Sequence, residues 1–314
     1  MTVAVGLFGY AVAMAFLAPR VLPRLTRHGV HPNLGVAAWL SVMTSVLGSW
    51  GTAVLIAVAD AAHTWLHADR LVLSGLHEAE VIVTGHEGLA AQLALLLVTA
   101  VPAVLAVILF GRLARSQVRM RLRAREHADA LRLTGTRMHR HSYADVVLLD
   151  SAERAAYCVA GSPNVVVVTS GAVAALRRRE LAAVLAHEHA HLMRRHPLLL
   201  TVTRGLAATF ARVSLFPVGA REVARLLEMS ADDIAVRRHG REPLLSGLLA
   251  LSGVAPAGAL AASGADVLAR AERLVSPRTR LRRIRAALLT GIGVAVLAPL
   301  LVVGAASGLL LCLI

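Results

Sequence analysis

The sequence predicts a mainly α, polytopic membrane protein, with about four transmembrane helices and a cytoplasmic α+β domain that carries a small sheet. Three observations lead there. The chain of 314 residues is 57% apolar and its mean hydropathy is +0.66, values that suit a bilayer better than water. Four runs, at about 3–18, 34–59, 89–111 and 287–313, are long and apolar enough to cross one. Between the third and fourth lies a long stretch of mixed composition, in which short β-type runs precede a helical periodicity.

The first run begins MTVAVGLFGY with no basic leader, and Pro19-Arg20 stands where a small-residue cleavage site would be needed. It therefore reads as a span and not as a signal peptide. Arg20, Arg24 and Arg27 follow it, which places that connection inside and the N-terminus outside. The loop from Asp60 to Gly88 holds Asp60, Asp69, Glu78, Glu80 and Glu87 against Arg70 alone, as suits the outside. The third run ends in the arginine burst GRLARSQVRMRLRAR, which belongs inside. The expectation is a multi-pass protein of the plasma membrane with both termini outside. It has a membrane region at 1–111, a cytoplasmic domain at 112–285 and a last helix at 286–314. His63, His67, His77 and His86 give the outer loop a composition able to respond to pH or metal, although a solvated loop with scattered histidines is the simpler reading.

The net charge of +14 is carried entirely by arginine. Residues 112–285 hold 29 arginines against 14 acids. With no groove-reading motif present, contact with anionic lipid headgroups is favoured and direct nucleic-acid binding is not expected. Cys158 and Cys312 are too few for a disulfide framework or a cysteine-rich zinc site.

Within the cytoplasmic stretch, 112–140 reads as an arginine-rich helical stem. Strand-like runs follow at 146–150, 156–161 and 165–170, the last two joined by a Ser162-Pro163-Asn164 turn that predicts a hairpin. Gly171 opens a helical pattern that breaks once near Arg177-Arg178-Arg179 and ends before Pro197. Residues 198–219 are apolar but carry Arg204 and Arg212, so they read as a buried or membrane-grazing helix and not as a fifth span. A further helix is expected at about 220–238, closed by Gly240; 252–265 reads as loop or weak helix.

The chemistry concentrates in ELAAVLAHEHAHLMRRHP, residues 180–197. Residues four apart on a helix share a face, so His187 and His191 can present both rings to one metal ion, for which zinc is the usual choice. Glu188, next to the first, can take the proton of a water as it attacks a carbonyl, while zinc supplies the Lewis acidity that makes that water acidic near neutrality. This is the His-Glu-x-x-His pattern of zinc peptidases. His189 points to roughly the opposite face. A catalytic zinc takes three protein ligands, and Glu228 in LLEMSADD is the expected third. Asp232, four residues on and on the same face, is expected to hold the free ring proton of a histidine ligand. His139, His141 and His196 are alternative ligands, and Arg282 or His196 alternative donors to a developing oxyanion. The strand at 165–169, through Val166, Val167 and Val168, is the expected surface along which a substrate peptide lies.

The run AYCVAGSPNVVVVTSGAVAALRRRELAAVLAHEHAHLMRRHP, followed by EMSAD, resembles the core of the gluzincin membrane metallopeptidases. Three spans before the domain and one after most resemble the M56 family, the BlaR1/MecR1-like antirepressor sensor peptidases. The resemblance implies one Zn2+ per chain on His187, His191 and Glu228, with Glu188 as base and acid. It also implies a cytoplasmic transcriptional repressor resembling BlaI as substrate, in a signalling role. The chain departs from those sensors in ending at Ile314 where they carry a penicillin-binding domain, and in having no lysine for the Ser-x-x-Lys motif. Its input would then come through the outer loop or a separate sensor subunit. A quality-control peptidase of the M48 type, or a non-proteolytic signalling scaffold with structural zinc, are the rival expectations.

Overall fold

The computed structural model describes residues 2–74, 86–141, 144–161, 163–252, 263–275 and 281–306. It falls into two compact units, the first of residues Met1–Arg20, Leu40–Ala114 and Thr290–Ile314, the second of Val21–Trp39 and Arg115–Leu289. These divisions, near 114 and 289, stand beside the expected ones at 111 and 285.

The chain opens with long helices. Helix α1 spans Thr2–Thr26, α2 Pro32–Ser74, and α3 His86–Thr134. Stretches Val3–Thr26, Pro32–Ala59 and Arg283–Gly304 are long and apolar enough to cross a membrane. The third expected span, 89–111, lies on α3, where most side chains fall outside the described residues. The expected outer loop is shorter than read, because α2 continues to Ser74 and α3 opens at His86; residues 75–85 between them lie outside the described residues, as does the side chain of each of the four loop histidines.

The second unit builds a four-stranded sheet and a set of helices. Strands β1 (Thr136–His141), β2 (Ala144–Leu149), β3 (Ala156–Val159) and β4 (Asn164–Thr169) lie in the order β1-β2-β4-β3. The expected β3–β4 hairpin is antiparallel, pairing Cys158 with Val166, while β2 and β4 run parallel. Strand β1 falls where the helical stem was expected to continue: α3 ends at Thr134, one residue before Gly135. The apolar run VVVV of β4 is buried on both faces, as a central strand requires.

Helices α4 (Ser170–Ala175) and α5 (Arg178–Met193) follow the sheet, with the break at the arginine triplet. Thr169 caps α4 by accepting from the Ala172 N–H at 3.1 Å. Glu180 reaches back to accept from the Arg177 N–H at 2.8 Å, one half of a capping box at the start of α5. Gly171 lies against the backbone of Ala152 and Glu153, where a Cβ would clash with the Ala152 carbonyl. Arg195, in the left-handed region at φ 55°, turns the chain into α6 (His196–Thr209), whose Pro197 sits in the first turn. Helix α7 (Leu215–His239) starts five residues earlier than expected and ends against Gly240 at φ 86°. Helix α6 packs on α7 and is not among the candidate spans. Helices α8 (Arg241–Ser252), α9 (Ser263–Val275) and α10 (Leu281–Ala306) complete the described chain.

Residues 21–39 join the second unit for a polar reason. Carbonyls at the end of α1 and in the turn that follows accept from arginines: Arg225 donates to Thr26 O at 3.1 Å and Arg27 O at 3.0 Å, and Arg273 to Gly29 O at 3.0 Å. Ser230 and Asn33 join at 2.7 Å.

Gly171→Val should lower stability by about 1–3 kcal/mol through overpacking against the Ala152 carbonyl, measured as the shift in the chemical denaturation midpoint of the full chain in detergent.

Candidate metal centre

Helices α5 and α7 of the second unit meet at one point. From α5 come His187 and His191, one turn apart, with Nε2 atoms 3.1 Å from each other. From α7 comes Glu228, with Oε2 3.3 Å from His187 Nε2 and Oε1 3.5 Å from His191 Nε2. Their ligand atoms all lie within 4.8 Å, a group able to hold a metal ion. Two imidazole nitrogens and one carboxylate, all turned inward, form the donor set that zinc takes in open catalytic sites.

Both histidines are fixed from behind. Asp232, fully buried, places Oδ1 3.0 Å from His187 Nδ1. That close contact leaves Nε2 turned toward Glu228 and the metal position. His196, also buried, places Nδ1 3.0 Å from His191 Nδ1. It therefore stands behind a ligand and away from the metal position, contrary to its reading as an alternative ligand. Glu188 is half-buried on the same helix and borders Cys158 of β3. His189 is half-buried and outside the metal-binding group. His139 and His141 fall on β1, and Arg282 on α10, with side chains outside the described residues.

The electrostatics favour positive charge at the centre. Burial pushes His187 down, yet hydrogen bonding to Asp232 and Glu228 outweighs it and brings the ring up to about 9. Burial works against the charged form of Glu228, but its contacts with His187 and His191 hold its carboxyl well below the usual range. Burial raises Glu188 above an ordinary carboxylate, the direction that suits a group that must accept and later return a proton. His196 is pushed down to about 3, first by burial and then by His191, and so is neutral.

Two features escaped the sequence. The first is Arg270 on α9, bidentate on Asp232 at 2.6 and 2.9 Å and 3.2 Å from Glu228 Oε2. No spacing rule links it to Asp232, 38 residues away; only its place in an amphipathic helix hinted at an inward face. The second is the identity of the open sheet edge. Val166, Val167 and Val168 cannot receive a peptide, because β4 has β2 on one side and β3 on the other. Their side chains are also sealed, with Val166 and Val167 at 0% exposure. Among the described strands, β3 is the edge next to Glu188.

Residues 123–278, just under half of the chain, match the model of peptidase family M48. The match covers every residue of the centre. It names M48 where the sequence reading looked to M56. Peptidases of this family are zinc-dependent, and the chain is accordingly a zinc metallopeptidase that carries apolar, membrane-type helices.

Zinc uptake must displace the His187 proton below about pH 9. Apparent zinc affinity should therefore rise about tenfold per pH unit between pH 6 and 8 and level off near 9, as read by chelator competition.

Proposed function

We propose that this chain is an integral membrane zinc endopeptidase whose peptidase domain lies on the cytoplasmic side and cuts extended segments of polypeptide. The observation that carries the reading is the convergence of His187, His191 and Glu228 into one cage, with Glu188 beside it and a sheet edge within reach. When bound, zinc polarises the scissile carbonyl and makes a water acidic enough to lose its proton near neutrality. Glu188 takes that proton and hands it to the leaving amine. Asp232 and His196 hold the two ligand rings in place. The substrate backbone pairs with β3, Ala156–Val159, as an added strand, which aligns it without dictating its sequence. The arginine clusters flanking the spans favour a cytoplasmic domain.

The M48 match favours damaged or misassembled membrane proteins as substrate, a quality-control role. Cleavage of a BlaI-like repressor in signalling is the second reading, resting on the expected arrangement of three spans before the domain and one after it.

Glu188→Gln should lower cleavage by about 100- to 10,000-fold while zinc stays bound; signalling that continues unchanged in this variant would sink the peptidase reading and leave a scaffold. His187→Ala and Glu228→Ala should each release the metal, seen as lost zinc in the purified protein. Offering the wild-type enzyme a small purified repressor and a misfolded membrane protein in parallel separates the two roles. Cutting of the membrane protein alone excludes the repressor.

A further inference from the structure

We propose that Arg270 is the positioning residue of the metal centre: acting through Asp232, it aims His187 at the metal and balances the charge of the cage. The inference rests on the metallopeptidase reading of the site and assigns a group that the motif does not contain.

Asp232 is fully buried, and a buried carboxylate needs partners on both oxygens. Arg270 provides the parallel fork, Nε to Oδ2 at 2.9 Å and Nη2 to Oδ1 at 2.6 Å. The carboxylate is thereby locked in plane, with Oδ1 also 3.0 Å from His187 Nδ1. One guanidinium thus fixes the acid that fixes the ligand. It also lies 3.2 Å from Glu228 Oε2, so its charge offsets part of that carboxylate as well. Three carboxylates, Glu188, Glu228 and Asp232, crowd this centre. A divalent ion offsets two of those charges, and Arg270 is placed to offset the third.

A plain tether between α9 and α7 would look different, and the same helix contains one. Arg273 is buried to the same degree, 9% exposed against 11% for Arg270, and pairs with Asp233 at 2.9 Å. It also donates to the backbone carbonyls of Gly29 and Met229, and no proposed ligand is among these partners. Arg273 is thus a built-in control for structural loss.

The test uses the full chain in detergent, with zinc affinity read by chelator competition, the Co2+ d–d spectrum, and kcat and KM on one peptide. Arg270→Gln should weaken zinc binding and lower kcat by about 10- to 100-fold each, with KM within about threefold. Arg270→Lys should recover only part, because a point ammonium cannot grip both oxygens. Arg273→Gln should keep zinc affinity and the Co2+ bands of the wild type. Arg270 acts on His187 through Asp232 but also lies against Glu228 and 3.4 Å from His187 Nε2, so the double variant Asp232→Asn/Arg270→Gln should lose less zinc affinity than the sum of the two single variants; it removes both buried charges and so remains informative if the single arginine variant fails to fold.

Equal losses in the Arg270 and Arg273 variants would overturn the proposal in favour of a tether. A rise in KM alone would make Arg270 a substrate contact, and additive effects in the double variant would break the route through Asp232. Wild-type protein that binds no zinc would sink the metallopeptidase reading itself, whereas zinc binding that survives unchanged in Arg270→Gln sinks only this inference.

Discussion

A carboxylate sealed from water governs how the second unit is assembled. Asp232 on α7 is fully buried, and an ionised group in that position is tolerated only when opposite charge and hydrogen-bond donors surround it. Its partners come from two other helices, His187 on α5 and Arg270 on α9. Helix α7 must therefore sit where all three meet. The same meeting point brings Glu228, one turn before Asp232, onto the ring nitrogens of His187 and His191. Structural pairing and metal site are one arrangement, because residues four apart on α7 share a face.

Arginine performs several distinct jobs in this chain. Composition alone assigns the excess to anionic headgroups and solvated helix faces. The structure turns a number of arginines inward as clamps: Arg225 and Arg273 donate to carbonyls at the end of α1 and in the turn after it, and Arg270 serves the cage. A planar fork that never loses its proton suits such places better than lysine would. Arg270 and Arg273 lie one turn apart on α9 and grip the adjacent acids Asp232 and Asp233 of α7.

The sheet sets what can approach the centre. A run of four valines buried on both faces reads in sequence as a strand, and it is one. Its neighbours are a matter of topology. Strand β2 pairs with it in parallel from before the hairpin and closes the side on which a peptide was expected. The short strand β3 is left at the edge, with Cys158 against Glu188. Burial and then Glu188 push the thiol of Cys158 upward, so it stays protonated beside the proposed base.

The sequence by itself determined most of the elements, strand β1 excepted, and the inner residues of the centre. Hydropathy marked runs at about 3–18, 34–59 and 287–313, whose described residues lie on α1, α2 and α10, the 3.6-residue period placed His187 and His191 on one face of α5, and the Ser-Pro-Asn turn predicted the β3–β4 hairpin. The pairing of Glu228 with that face was legible because i, i+4 spacing to Asp232 is a local signal. Only the tertiary structure decided which strand is open, that His196 stands behind His191, that residues 21–39 pack with the second unit, and that Arg270 completes the cage. Local periodicity is fixed by backbone geometry and can be read along the chain. Contacts such as Arg270 to Asp232 join residues far apart in sequence and exist only because a buried charge must find its partner wherever the packed helices bring one.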